Sequence, residues 1–264
     1  MEKITIKDVA RLADVSVATV SYIINGIHED RYTPDTKKKV LQIVNLYNYQ
    51  PSRLAQSFAL SKSRNVIILT DKHQTILQKA ESYDFLRLFC KTFERLGYNP
   101  IMQTHLENTR IDMADAIVCV GMEEEKFRRL AQENYVPLLS IDGKINDELF
   151  FQIYQDFDFV IKEGEKKFGR DNFTVVLVDT YNSSLKRELE SLPAKLAFIA
   201  DNDLTELPRG NVVLVHSSLK EIYGEGEGVL YIPTNTQARI DAVLECFNKA
   251  TERVQGSIHT VRVQ

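Results

Sequence analysis

Three helix-start signals crowded into the N-terminal region constrain this chain more than any other feature. In ITIKDVARLADVSVATVSYIING, Thr5 followed by Asp8 makes a capping-box-like start, and Val9, Ala10, Leu12 and Ala13 supply an apolar stripe. The spacing predicts a helix of about eight residues that ends at Asp14. Ser16 caps a second helix, in which Val20, Ile23 and Ile24 share one face. About three or four residues separate the two, the geometry of a helix-turn-helix. Ala10 is small enough to let the helices cross closely, with Val15 and Val20 plugging the angle between them. Asp14 stands at the turn position where glycine is commonest, and aspartate tolerates a left-handed backbone better than most residues. The third signal is Thr33 as cap, Pro34 at the first helical position and Asp35 favourable to the dipole. Val40, Ile43, Val44 and Tyr47 then repeat at helical spacing. Lys37, Lys38 and Lys39 fall on the solvent side, as a hydrated face or as phosphate contacts.

Pro51 ends the third helix, and Ser52 caps a short fourth one, SRLAQSFAL. A helix that short is marginal alone in water and orders only against another surface. SKSRN then reads as a linker. The chain accordingly divides into a head (residues 1–50), a hinge helix with linker (51–64) and a body (65–264).

Charge follows the same division. The 264 residues carry a net charge of -4, which by itself suggests no polyanionic partner. Residues 1–64 nevertheless hold 10 Lys/Arg against 6 Asp/Glu, a net of +4, and the remainder a net of -8. A basic head on an acidic body is the distribution expected when one end meets a polyanion. Cys90, Cys119 and Cys246 are scattered without a CxxC pair, which points to a reducing compartment and away from a disulfide framework. No apolar run approaches the ~20 residues that span a bilayer, and MEKITIKDVA has no signal-peptide core, so a cytoplasmic protein is expected.

TIKDVARLADVSVATVS, the Asn25-Gly26 pair, and the TPDT helix with its trailing NYQPSRLAQSF together resemble the LacI/GalR family of transcriptional regulators. The match is ordered and nearly gap-free over residues 4–60. It implies a dimeric regulator, most readily a repressor, on a palindromic double-stranded DNA operator. The second helix would enter the major groove and the hinge helices the minor groove. Val17 and Ala18 would face base edges, where only apolar contact is open to them. Ser16, Thr19, Ser21 and Asn25 would bind phosphate, and Thr5 and Ser52 join the implied DNA contacts. Family members very often carry arginine where this chain has Tyr22, so guanine readout is lost or replaced. The alternative is that Tyr22 only packs on the third helix. The loop GIHEDRYT is about two residues longer than is usual in the family. It brings His28, Arg31 and Tyr32 towards the groove, with Arg31 the better DNA contact, while Glu29 and Asp30 turn the loop tip away from phosphate. In the hinge, Phe58 stands where the family usually has its leucine wedge, and Arg53 would face a phosphate. Phe58 packing against the body is the alternative.

In the body, the runs NVIILT, PIMQT, AIVCVG, PLLSID, FTVVLV, KLAFIA, NVVLVH, VLYIP and HTVRV alternate with helical patterns, notably 80–97 and 235–253. Such alternation means parallel sheets covered by helices. The resemblance implies two α/β lobes like those of periplasmic sugar-binding proteins, with an effector between them. KKFGRDNFTVVLVD would begin the second lobe and TQARIDAVLECFNKA would be its closing helix. The body is trimmed, however. The connections HLENTRIDMAD and DNDLTELPRG are long enough to cross between parallel strands but too short for crossover helices, so a sheet face is left needing cover from a dimer partner or a rearranged body. The effector positions are altered too. VHSSL stands where the family tends to have a pair of aspartates, and Asp71, Asp203 and His216 match ligand-side positions only weakly. A lost or altered effector site follows.

GEGEG at 224–228 follows no convincing strand and opens no helix, so it reads as a turn rather than a phosphate loop. The five histidines show no HxxxH or HExxH spacing, and no GxSxG elbow appears. No metal, cofactor or catalytic apparatus is expected. A scaffold module whose head no longer binds DNA is the competing class; an enzyme on a two-lobed body ranks below both.

Overall fold

The computed structural model describes residues 4–26, 28–47, 49, 63–70, 75–103, 110, 111, 114–201, 204, 207–252 and 258–264. Met1–Lys62 and Ser63–Gln264 form two compact units.

The head contains α1 (Ile6–Ala13), α2 (Val17–Asn25), a 3-10 turn (Glu29–Arg31) and α3 (Pro34–Leu46). Each boundary follows from a side chain. Thr5 and Asp8 form the complete capping box on α1. Asp14 ends that helix in the left-handed region at φ 59°, and its amide donates to the carbonyls of Ala10 and Arg11. Ser16 Oγ accepts from the Thr19 amide at 3.0 Å, and Thr33 Oγ1 from the Thr36 amide at 3.2 Å. Val9, Ala10, Ala13, Val20, Ile23 and Val40 make the core, with Val15, Ile24, Ile43 and Val44 packed on it. Two residues expected there lie outside. Leu12, at the edge of the α1 stripe, is 38% exposed. Tyr47 is the C-cap of α3 and is also exposed, because the helix ends just before it. The backbone turns there, the Tyr49 amide donates to the Val44 carbonyl, and Tyr49 packs on the core instead.

In the body, β1 (Asn65–Thr70), β2 (Asn99–Gln103), β3 (Ala116–Val120), β4 (Leu138–Ile141), β5 (Phe151–Gln155) and β10 (Thr260–Val263) form one parallel sheet, ordered β10-β5-β4-β3-β1-β2. A second parallel sheet, β7-β6-β8-β9, comprises β6 (Thr174–Val178), β7 (Leu196–Ile199), β8 (Val212–Leu214) and β9 (Val229–Tyr231). On one face of the first sheet, α4 (Ile76–Arg95) and α9 (Gln237–Glu252) bury Phe85, Phe89, Phe93, Val243 and Phe247. On the other, α5 (Glu124–Glu133) buries Phe127 and Leu130. The second sheet is covered by α6 (Phe157–Phe168) and α7 (Ser183–Glu190) on one face and by α8 (Ser217–Tyr223) on the other. Within α6, Gly164 lets the Phe173 ring approach so closely that an added Cβ would lie 2.6 Å from it.

Two expectations need correction, and a third, the cover of the second sheet, is narrowed to one of its alternatives. The strand β5 is absent from the apolar runs read off the sequence, because Gln152 and Gln155 interrupt it. Both are buried, and Gln152 bonds the Ile145 amide and the Asp147 carbonyl. The helix of TQARIDAVLECFNKA, expected to close the second lobe, packs on the first sheet, against α4, β4, β5 and β10. Cover for the second sheet comes partly from the neighbouring lobe, since Leu77 of α4 joins the cluster of α8, β6 and β8. The shortened crossovers fall mostly outside the described residues.

Candidate nucleic-acid interface

The recognition surface is built on α2, whose sequence VATVSYIIN contains no charged residue. Val20 and Ile23 point inward and are buried. On the outer side Ser16, Val17 and Ala18 are exposed, Val17 by 41%, while Thr19, Ser21 and Tyr22 are half-buried. The Ser16 hydroxyl, engaged at the helix start, also lies 2.8 Å from Thr19 Oγ1. Short side chains here let a groove approach the backbone, and the unpaired amides of the first turn favour a phosphate beside Ser16. Asn25 is the last residue of α2, ahead of Gly26, which takes φ 64° to end the helix.

Tyr22 is not among the rings packed on the head core, which are Tyr32 and Tyr49. Its neighbours belong to the long loop. The His28 imidazole stands edge-on to it with centroids 4.7 Å apart, and the Arg31 guanidinium carbon lies 5.9 Å from its centroid. His28 is itself in the left-handed region at φ 52°. The acidic part of the loop is drawn off: Glu29 pairs with Lys37 at 2.8 Å, which holds the Glu29 carboxyl below its ordinary range and raises the Lys37 ammonium. Lys37 is thus committed to the loop, while Lys38 and Lys39 are exposed. Thr5 is exposed, with its amide and hydroxyl donating to Asp8 at 2.9 and 2.7 Å, which holds that carboxyl below its ordinary value. The structure therefore gathers Ser16, Val17, Ala18, Thr19, Ser21, Tyr22 and Arg31 on or beside one helix. Of the two loop residues beside Tyr22, His28 makes the closer ring contact and Arg31 the more distant one. Ser52, Arg53 and Phe58 lie outside the described residues, as do Asp71 and Asp203.

His216 is half-buried at the start of α8, in the wall of the cleft between the two sheets. Its Nδ1 accepts from the Val178 amide at 3.1 Å, which fixes the neutral ring with its proton on Nε2. Loss of solvent around the ring holds its pKa below the ordinary imidazole value, against the opposing pull of Glu81 and Asp142. The remaining space in the cleft is about 90 Å³, lined by residues including Glu81, Phe85, Asp142, Asp179 and Asn235. Among the described residues, no three His, Cys, Asp or Glu side chains are grouped to hold a metal ion. Nor is any described helix long and apolar enough to cross a membrane.

Comparison with known proteins agrees with this geometry. Residues 5–52 match the family model of bacterial regulatory proteins, lacI family. The fructose operon regulatory protein of Vibrio cholerae serotype O1 is 28% identical over 204 residues, 70% of this chain and 60% of that protein. Catabolite control protein A of Staphylococcus epidermidis is 25% identical over 212 residues, 73% of this chain and 63% of that protein. The chain thus spans less than two thirds of the length of these relatives. In fold it is similar to the lac repressor dimer bound to operator and the anti-inducer ONPF, at TM-score 0.63 and 12% identity over 99% of this chain and 96% of that one. The lac repressor bound to ONPG in the repressed state superposes at TM-score 0.64 and 13% identity over 99% and 97% of the two chains. The head at residues 5–52 thus matches the lacI family of bacterial regulatory proteins, and the two-lobed parallel-sheet body shares the fold of the lac repressor.

Proposed function

We propose that this protein is a sequence-specific DNA-binding transcriptional regulator, a cytoplasmic repressor that acts as a homodimer on a roughly palindromic operator. The observation that carries this reading is the lacI-family match of residues 5–52, on which α2 presents a small, uncharged outer face backed by buried Val20 and Ile23. In this reading Val17, Ala18 and Tyr22 meet base edges. Ser16, Thr19, Ser21, Asn25, Thr5 and Arg31 hold phosphates. Ser52, Arg53 and Phe58 engage the minor groove through the hinge, where an aromatic wedge unstacks one base step. Two-fold symmetry of the dimer sets the half-site spacing. The protein works by binding, and no catalytic step is assigned to it.

Selection of bound duplexes from a random pool tests the reading. A repressor of this kind enriches one two-fold symmetric motif, with affinity that falls by about 0.9 in log slope per phosphate neutralised as salt rises. Equal recovery of all duplexes, or binding indifferent to salt, overturns it in favour of a protein-binding module.

A further inference from the structure

The two lobes of the body hold each other by their helix ends. The first amides of a helix have no partner within it and need an outside acceptor. In α8 of the second lobe, that acceptor is Glu81 from α4 of the first: Ser218 N donates to Oε1 at 2.7 Å and Ser217 N to Oε2 at 3.3 Å. Asn235 Nδ2 reaches the Glu81 carbonyl at 3.2 Å, and Ser217 Oγ donates to Asp84 at 2.6 Å. The relation is returned at the start of α4, where Asp201 of the second lobe accepts from the amides of Ile76 at 2.6 Å and Leu77 at 3.1 Å. Loss of solvent opposes charge on Asp201, yet these amides hold its carboxyl below the usual range. Elsewhere along the cleft, Glu123 of the first lobe accepts from the Ser183 amide at 2.9 Å and the Ser183 hydroxyl at 2.6 Å, at the start of α7. Fully buried Asn182 donates to the carbonyls of Met122 and Lys144. Behind this row Arg239, 1% exposed, pairs with Asp142.

We infer that the body is a self-latched clamp: Glu81, Glu123 and Asp201 cap helices of the opposite lobe, and Glu81 stands in the cleft wall in place of a small effector. The lobes are therefore held closed without a ligand. The space left beside Glu81 and His216, about 90 Å³, is well under the roughly 300–1,000 Å³ of ordinary ligand pockets; a separate, more open hollow of about 390 Å³ is lined by Lys144, Gln152, Glu188 and Arg262. Half-buried carboxylates already satisfied by amide donors would have to be released before the lobes could part, at the cost of leaving those donors unpaired. Taken with the regulator reading, on which this part rests, operator affinity is set without a sugar or nucleobase.

Amide exchange in the full chain, followed residue by residue, tests the latch apart from any DNA. The amides of Ser217 and Ser218 have no partner inside α8, so slow exchange there reports Glu81 alone. Exchange at least about 100-fold slower than in free peptide is expected at both, falling roughly tenfold or more in Glu81→Ala while Val213 and Leu214 of β8 stay protected. Glu81→Gln, which keeps an acceptor, retains part of the protection and covers the case in which the alanine variant does not fold. Free-peptide exchange at Ser217 and Ser218 in the wild type overturns the latch. So does protection that survives Glu81→Ala. In parallel, affinity for the selected duplex is measured with sugars, nucleobases and phosphosugars. A change under about twofold is expected, whereas an effector acting through a hinge shifts affinity ~5–150-fold and would overturn the inference. Failure to bind any selected duplex refutes the regulator reading and leaves the exchange result to decide the latch.

Discussion

The His28 imidazole lies edge-on to the Tyr22 ring, 4.7 Å between centroids and 66° between planes, so the loop after the second helix and the helix itself form one surface. Aromatic pairs in such geometry contribute ~0.5–1.5 kcal/mol beyond area burial. Tyr22 is therefore held in place by a residue six positions further along the chain, in the loop that follows its own helix, rather than free to swing. We expect Tyr22→Ala and His28→Ala to weaken preference at the same operator base pair, each by roughly 3–10-fold, at or below the lower end of the ~1–3 kcal/mol that separates good from poor base contacts. The double variant adds little to either. Selection profiles for the three variants check this, and changes at two different base pairs would contradict it.

Thr5→Ala removes the side-chain half of the α1 capping box, while the amide of residue 5 can still donate to Asp8. Such a loss costs about 1 kcal/mol, read as a lower unfolding midpoint for the head in calorimetry of the whole chain. The lowered Asp8 carboxyl gives the same end of the helix a pH dependence. Its contribution is present above the ordinary aspartate value of 3.8 and is lost as pH falls through and below it. The wild-type head should lose stability with acid more steeply than Asp8→Asn.

His216 has the opposite chemistry and the same sign. Its ring is held neutral, so below the ordinary value of 6.5 the unfolded chain binds the extra proton first and stability drops as pH falls. His216→Asn offers Oδ1 to the Val178 amide without titrating. Melting temperatures from pH 8 to pH 5.5 should fall for wild type and stay flatter for the variant; parallel curves would dismiss the assignment.

Gly164→Ala is a contest between propensity and packing. Alanine gains about 1 kcal/mol over glycine inside a helix. Here its Cβ would sit 2.6 Å from the buried Phe173 ring, and overpacking costs ~1–3 kcal/mol. We expect net destabilisation of up to about 2 kcal/mol by denaturant titration, and Gly164→Ala with Phe173→Leu to recover part of it.

Where the chain decides its structure locally, the sequence announces it. Thr5 with Asp8, Ser16, and Thr33 with Pro34 start their helices where the sequence places them, because each cap lies within three residues of the amide it satisfies. Asp14 takes the left-handed turn for the same reason. The apolar runs likewise name most strands, since strands buried on both faces need little else. β5 escapes because polar Gln152 breaks the apolar run; it is tolerated because the Ile145 amide donates to its Oε1 and the Asp147 carbonyl accepts from its Nε2.

What the sequence by itself determined is the head: its caps, its turn and the small outer face of VATVSYIIN, all set by contacts a few residues apart. Only the tertiary structure decided that α9 serves the first sheet, that His28 steadies Tyr22, and that Glu81 and Asp201 cap helices in the opposite lobe, 136 and 125 positions away from their donors. The physical reason is that an amphipathic helix advertises a buried face but not its partner, and a carboxylate advertises a charge but not the amide that will hold it. Those pairings are fixed by packing across long chain separations, where periodicity and propensity carry no information.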